Sequence, residues 1–251
     1  MSAGRPLPHE SAPLHVSGEA RFVDDRPEIE GMLHLAIGGS PCAHGRLRSL
    51  DLEAVRAAPG VEAVLTARDI PARNQCGPIL EDDPILAEDE LRFMGQPLFA
   101  VVASSQRLAR QAVRKARIEV DPLPLRLEAR VAYEAGDFVL PPQRLTRGDA
   151  GEGLKSAAIR RCGRFCVGGQ EHFYLEGQVA VAAPDEEGGL EVWCSTQHPS
   201  EMQHLIAGAL GRDAAQIRVE MRRMGGGFGG KESQSAQVDP QHRHLGAGQA
   251  A

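Results

Sequence analysis

GGGFGGKE, residues 225–232, places five glycines in six positions directly after a predicted strand at residues 217–221. Glycine loses more conformational entropy on folding than any other residue. A run of this kind is therefore usually kept where the backbone must approach a ligand closely or adopt positive φ angles. The structural alternative is a plain tight turn after a strand. We expect a binding site first at this loop.

One interpretation of the loop is a phosphate-binding P-loop, because Gly225, Gly230 and Lys231 satisfy the G-x-x-x-x-G-K spacing. The hydroxyl residue that should follow the lysine and bind Mg²⁺ is replaced by Glu232, whose carboxylate would repel a phosphate. The segment up to Pro240 is also too short for the long helix that a P-loop opens. We therefore expect no nucleotide hydrolysis.

The first half of the chain predicts strands separated by a helix. Apolar alternation and short apolar runs predict strands at residues 32–37, 61–66, 96–103 and 118–120. A helix is predicted at 106–116, where apolar residues recur at helical spacing between arginines. The order of strand 96–103, helix 106–116 and strand 118–120 suggests a βαβ unit.

The second half begins after a connecting segment rich in proline and glycine at residues 122–148. A helix is predicted from His198 to Gly211, and strands are predicted at 158–167, 173–182, 190–195 and 217–221. From Val238 onward the sequence has no periodicity and predicts an unstructured tail. Two histidines in that tail, His242 and His244, are attributed to chance rather than to a metal site.

Several motifs in a fixed order resemble the xanthine dehydrogenase and aldehyde oxidase family of molybdenum hydroxylases. Besides the glycine loop they are LHVSGEARFVDD (14–25), VVASSQRLARQA (101–112), GGQEHFYLE (168–176) and STQHP (195–199). The resemblance covers residues 14–236. Within this family, the chain resembles the N-terminal part of the molybdenum-binding large subunit of the bacterial-type xanthine dehydrogenases.

The resemblance implies the roles of individual residues. Gln197 matches the glutamine that donates a hydrogen bond to an oxo ligand of molybdenum, and Gly227 and Phe228 match the loop whose backbone lies against the cofactor. Gln197 and Phe228 are thus expected near the metal without being its ligands, because the family holds molybdenum through a pterin dithiolene. Glu232 matches the purine-binding glutamate. No residue of this chain is expected to be catalytic, since the general base is implied in a later part of the subunit.

The resemblance also implies a fold of the α/β (α+β) class. A hammerhead-like domain is expected at 12–130, a connecting segment at 131–149 and the first part of a molybdenum-cofactor-binding domain at 150–236. Residues 237–251 are expected to form a tail foreign to the family. Because the family's subunit continues well past this point, we expect a truncated subunit that is inactive alone.

The implied activity is hydroxylation of a purine such as hypoxanthine or xanthine, with oxygen derived from water. The alternatives are a related oxidoreductase of aldehydes or other N-heterocycles, and a non-catalytic fragment that only contacts a partner subunit. Iron–sulfur, FAD and NAD sites are expected on that partner, in a hetero-oligomer, since none of their motifs occurs here.

The composition sets limits on partners and location. The formal net charge of -6 gives no basic surface for nucleic acid. Neither a leader peptide nor an apolar stretch long enough to cross a bilayer is evident in the sequence, so a cytoplasmic protein is expected.

Two clusters of reactive side chains are expected to be structural. Cys162 and Cys166 form a C-x3-C pair without further zinc ligands, so all five cysteines are expected to be buried or half-buried thiols. Glu171 and His172 could form an acid–base pair. The resemblance instead makes their motif a structural one, with buried hydrogen bonds.

Overall fold

The computed structural model describes residues 4–77 and 80–232. Its α-helices are α1 (Ala12–Ser17), α2 (Glu53–Arg56), α3 (Gln106–Val113), α4 (Ala129–Glu134), α5 (Ala150–Ser156) and α6 (Pro199–Leu210). Its strands are β1 (His34–Gly39), β2 (Gly45–Asp51), β3 (Val61–Thr66), β4 (Glu90–Leu91), β5 (Pro97–Ala103), β6 (Arg117–Pro122), β7 (Ala180–Pro184), β8 (Leu190–Cys194) and β9 (Ile217–Glu220).

The chain forms two compact units. Among the described residues, one unit lies within residues 4–123 and 172–232, and the other consists of residues 124–171. The predicted connecting segment and the predicted start of the cofactor domain thus fall within the second unit. The limits of the two domains remain a prediction, because the compact units follow a different division.

The core of the first unit is built around β5, the apolar run that the sequence predicts as a buried strand. Strand β5 lies between β1 and β3 and pairs with both in antiparallel fashion. Phe99 and Val101 pack into one hydrophobic cluster, whereas Ala100 and Val102 pack into another. Because successive residues of a strand point to opposite faces, both faces of β5 are buried, which explains its continuous apolar sequence.

The predicted βαβ unit at residues 96–120 is wrong. Strand β6 follows β5 and α3 in the chain, but it belongs to a different sheet, where β2 lies between β4 and β6 in antiparallel pairings. Apolar periodicity reports the type of an element but not its partner, and here the partner of β6 is distant in sequence.

A parallel crossover occurs instead in the second half of the chain. Strand β8 pairs with β7 in antiparallel fashion and with β9 in parallel fashion, and α6 connects β8 to β9. Helix α6 has Pro199 in its first turn and ends at Gly211 with φ of 64°, as the sequence predicts. The carboxyl ends of β8 and β9 therefore meet at one edge of the sheet.

The two halves of the first unit pack together through α6. Ala209 and Leu205 lie in a hydrophobic cluster with Ile70, Ile85 and Leu86. The carbonyls of Ala209 and Gly208, in the last turn of the helix, accept backbone hydrogen bonds from Ala72 at 3.1 Å and Arg73 at 3.2 Å. These bonds satisfy carbonyl groups that the end of a helix leaves without an intrahelical donor.

The second unit contains α4 and α5 and is otherwise irregular. The strand predicted at 158–167 is not formed, and Ile159, Phe165 and Val167 are exposed. The strand predicted at 173–182 is present only from Ala180. A strand is stable only beside a neighbour that pairs with its backbone groups, and no described strand pairs with residues 158–167.

Candidate cofactor site

The predicted site residues come together because two motifs follow parallel neighbouring strands. STQHP follows β8, and the glycine loop follows β9. The backbone N–H of Gln197 donates to the carbonyl of Lys231 at 2.7 Å, and the Thr196 hydroxyl donates to the same carbonyl at 3.2 Å. Gln197 and the end of the glycine loop are therefore direct neighbours.

The loop fixes the orientation of the Gln197 carboxamide. Its Oε1 accepts hydrogen bonds from the backbone N–H of Gly229 at 2.9 Å and of Lys231 at 3.3 Å. Because both neighbours are donors, the carbonyl oxygen must face them and the NH₂ group must point away. Within residues 4–77 and 80–232 the structure gives Nε2 no acceptor. Gln197 thus offers two N–H donors beside the loop.

The glycines of the loop are required by space and by backbone geometry. A Cβ at Gly227 would lie 2.5 Å from Oε1 of Gln197, and one at Gly230 would lie 2.9 Å from the His172 ring. Gly226 and Gly229 have φ of 98° and 89°. The loop thus shows both features that a glycine run of this kind predicts, which are close contacts of the backbone and positive φ angles.

Phe228 and Glu232 are the exposed members of the site. Phe228 adopts a left-handed φ of 52°, and its side chain is 74% exposed. Glu232, the last residue described, is also exposed, and its carbonyl accepts from the Thr196 hydroxyl at 3.4 Å. An apolar ring and a carboxylate are thus available to a ligand close to Gln197.

Sequence reasoning missed the partner of Lys231. The ammonium of Lys231 is fully buried, donates to the Glu176 carbonyl at 2.7 Å and lies 3.2 Å from Oε2 of Glu176. It also lies 4.6 Å from the centre of the Tyr174 ring. The lysine therefore has no free charge for a phosphate, which agrees with the rejection of the P-loop. Nothing in the spacing of the sequence links two residues so far apart.

The motif at 168–176 is only partly buried. The expectation of buried hydrogen bonding is correct for Glu176, whose side chain is 10% exposed, and wrong for residues 168–173, which are exposed. The His172 ring stacks on Tyr174 with a centroid separation of 6.2 Å. The buried end of the motif, Glu176, contacts the glycine loop directly at Gly225 and Lys231.

The cysteines differ in environment. Cys76 and Cys194 are buried as expected, and burial raises the pKa of each thiol to about 12, with the charge of Asp83 contributing at Cys76. Cys162 and Cys166 are exposed, contrary to the expectation. In the described part of the chain, no three His, Cys, Asp or Glu side chains cluster in a way that could hold a metal ion. His242 and His244 lie outside the described residues.

Two models of known protein families match most of the chain. A model of the aldehyde oxidase and xanthine dehydrogenase a/b hammerhead domain matches residues 17–124, and a model of the molybdopterin cofactor-binding domain matches residues 133–241. The chain belongs to the aldehyde oxidase and xanthine dehydrogenase family. The predicted fold class, a hammerhead domain followed by cofactor-domain sequence, is thereby confirmed.

Relatives within the family include the xanthine dehydrogenase/oxidase of Mus musculus, which is 37% identical over 236 residues, and the xanthine dehydrogenase of Oryza sativa, which is 36% identical over 239 residues. Each alignment covers 94% of this chain but 18% of the relative. The chain therefore spans less than a fifth of the length of these relatives. The predicted resemblance to xanthine dehydrogenase-type oxidoreductases is confirmed.

Solved structures of the family have the same fold. Quinoline 2-oxidoreductase from Pseudomonas putida superposes with a TM-score of 0.77 at 28% identity, over 92% of this chain and 31% of that chain. The aldehyde oxidoreductase from Desulfovibrio gigas superposes with a TM-score of 0.79 at 25% identity, over 92% of this chain and 28% of that chain. No described helix is long and apolar enough to cross a membrane.

Proposed function

We propose that this chain forms one wall of a molybdopterin site in an oxidoreductase that hydroxylates a purine such as hypoxanthine or xanthine, with oxygen derived from water. The observation that carries the proposal is the orientation of Gln197. Its oxygen is engaged by Gly229 and Lys231, so both N–H donors face away from the loop. A donor held in this way suits an oxo group of the cofactor, and a fixed donor costs no reorganisation when a ligand arrives.

The residues present fit the cofactor by their chemistry. Gln197 would donate to it, and the glycine at Gly227 would leave room for the Gln197 carboxamide, because a Cβ there would lie 2.5 Å from its Oε1. Phe228 would cover an apolar part of the site. When bound, the molybdenum cofactor supplies the oxygen transfer and accepts the two electrons of the oxidation.

Glu232 would orient the substrate. Its carboxylate is a hydrogen-bond acceptor, which suits a heterocycle that carries ring N–H groups. None of the residues described here is assigned as the general base, which we place on another part of the enzyme. Iron–sulfur, FAD and NAD sites belong to a separate subunit in this proposal, and the hetero-oligomer is cytoplasmic.

The 251-residue chain alone should have no activity. Three large apolar side chains near the loop are almost uncovered: Phe173 is 91% exposed, Leu175 is 99% exposed and Phe228 is 74% exposed. Apolar groups of this size are normally covered by a ligand or by further protein. A large anionic pterin needs donors that converge from several loops, whereas the described residues offer one glycine loop and one glutamine.

A second candidate function is oxidation of an aldehyde or of another N-heterocycle by the same site. It is favoured by the structural similarity to an enzyme named for quinoline and to one named for aldehydes. The carboxylate of Glu232 favours the purine, because an aldehyde offers no ring N–H group to it.

The test has two parts. Elemental analysis of the purified 251-residue chain should find no stoichiometric molybdenum. In a chimera, residues 14–232 replace the matching segment of the mouse enzyme, and xanthine, quinoline and aldehyde turnover are compared. Gln197→Glu keeps the accepting oxygen but removes the N–H donors, so xanthine turnover should fall by about 10²-fold or more.

Gln111→Glu is the matched control, because it makes the same change on an exposed residue of α3. If the chain alone bound molybdenum, the proposal that it forms only one wall of the site would be contradicted. Wild-type turnover in Gln197→Glu would contradict the role of Gln197. Turnover of aldehyde rather than xanthine would favour the second candidate.

A further inference from the structure

The carboxylate of Glu176 contacts the glycine loop at both of its ends. Its Oε2 accepts a hydrogen bond from the backbone N–H of Gly225 at 2.8 Å and lies 3.2 Å from Nζ of Lys231. The backbone of Glu176 repeats both contacts. Its N–H donates to the Gly225 carbonyl at 3.1 Å, and its carbonyl accepts from the Lys231 ammonium at 2.7 Å. One residue thus connects the beginning of the loop with its end.

Neither end can readily exchange these contacts for water. A Cβ at Gly225 would lie 2.5 Å from Cβ of Glu176, so the close approach requires a glycine. The Lys231 side chain is fully buried, and the Glu176 side chain is 10% exposed. A buried charge is tolerated only with a partner, so loss of either group leaves the other without compensation.

The same lysine connects this contact to the candidate cofactor donor. The backbone N–H of Lys231 donates to Oε1 of Gln197 at 3.3 Å, and the Lys231 carbonyl accepts from the Gln197 backbone at 2.7 Å. Gly229, two residues earlier, provides the second donor to Oε1. A displacement of Lys231 would therefore break the bonds that orient the carboxamide.

We propose that Glu176 is a positioning residue of the cofactor site. Through Gly225 and Lys231 it holds the glycine loop in the conformation that orients Gln197, before any cofactor is bound. The inference rests on the proposed role of Gln197. The experiment that tests it measures the loop without any cofactor. A chimera that failed to bind molybdenum would therefore count against the proposed function but not against the role of Glu176.

The competing explanation is an ordinary buried ion pair that stabilises the whole unit. The two differ in where the protein opens when the pair is broken. A positioning role predicts local opening of residues 225–231, whereas general stabilisation predicts that distant core strands such as β5 open to the same degree.

The experiment is hydrogen exchange measured by mass spectrometry on the 251-residue chain. In Glu176→Gln, peptides that contain the Gly229 and Lys231 amides should exchange at least about tenfold faster, because the charged acceptor for both loop ends is lost. Peptides from β5 should exchange as in the wild type. Glu191→Gln is the matched control, since it breaks the exposed pair with Arg218 at 3.1 Å and does not touch the loop.

A double variant keeps the test valid if Glu176→Gln does not fold. Glu176→Leu combined with Lys231→Met removes both buried charges and leaves neither unpaired. The loop amides should again exchange faster than in the wild type, while those of β5 should not. Wild-type protection of the loop in either folded variant would overturn the proposal, and so would equal acceleration of the loop and β5.

Discussion

Replacing Gly227 with alanine should release the Gln197 carboxamide. The new Cβ would lie 2.5 Å from Oε1 and 2.7 Å from Cδ of Gln197, closer than real Cβ contacts allow. Gly227 does not have a left-handed φ, so the alanine brings no backbone strain and acts through its side-chain contacts. Besides Gln197 these include Cε of Met224 at 2.8 Å, the far end of a flexible side chain. The carboxamide can swing away easily, but it then loses its hydrogen bonds to Gly229 and Lys231.

The magnitude follows from those two bonds. A net contribution of about 1 kcal/mol each gives about 2 kcal/mol, or roughly 30-fold faster hydrogen exchange at the two amides. The control is Gly177→Ala, because no atom lies within 4 Å of a Cβ at Gly177 and its φ is not left-handed. That variant should leave loop exchange unchanged. Wild-type protection of Gly229 and Lys231 in Gly227→Ala would refute the claim that their contact with Gln197 orients the side chain.

Further predictions concern substrate and thiols. In the chimera with the mouse enzyme, Glu232→Ala should lower xanthine turnover by about 10²-fold without changing molybdenum content. The reason is that one hydrogen bond to the ring is worth roughly 2–3 kcal/mol in the transition state. Unchanged xanthine kinetics would remove the argument for a purine substrate. Cys162 and Cys166 should react with a thiol reagent in the native chain at pH 8, while Cys76 and Cys194 should not. Their pKa of about 12 leaves roughly 10⁻⁴ of each as thiolate at that pH, so their reactivity should rise with pH; equal rates for all four would contradict the burial.

Sequence reasoning succeeded where a feature is local. The apolar run at β5 indicates a strand buried on both faces, and the proline and glycine that flank α6 mark its ends within a residue or two. It predicted the strand at β6 but not its partner, and it failed at residues 158–167, because a strand needs a neighbour that pairs with it. Hydrophobic periodicity carries no information on that neighbour when the pairing is distant in the chain.

The candidate site shows the same limit at the level of single residues. The glycine loop and Gln197 stand out in the sequence, and the parallel pairing of β8 and β9 explains why the segments that follow these strands meet. The contact that holds the loop is not visible in any spacing, because Glu176 and Lys231 come from motifs far apart in the chain.

This contact gives the motif at residues 168–176 a role in holding the glycine loop. The last residue of GGQEHFYLE binds both ends of the glycine loop, at Gly225 and at Lys231. A loop of five glycines would otherwise sample many backbone conformations, and the donor of Gln197 would have no fixed direction. The glycines thus allow the close approach, and the buried pair restores the order that the glycines remove.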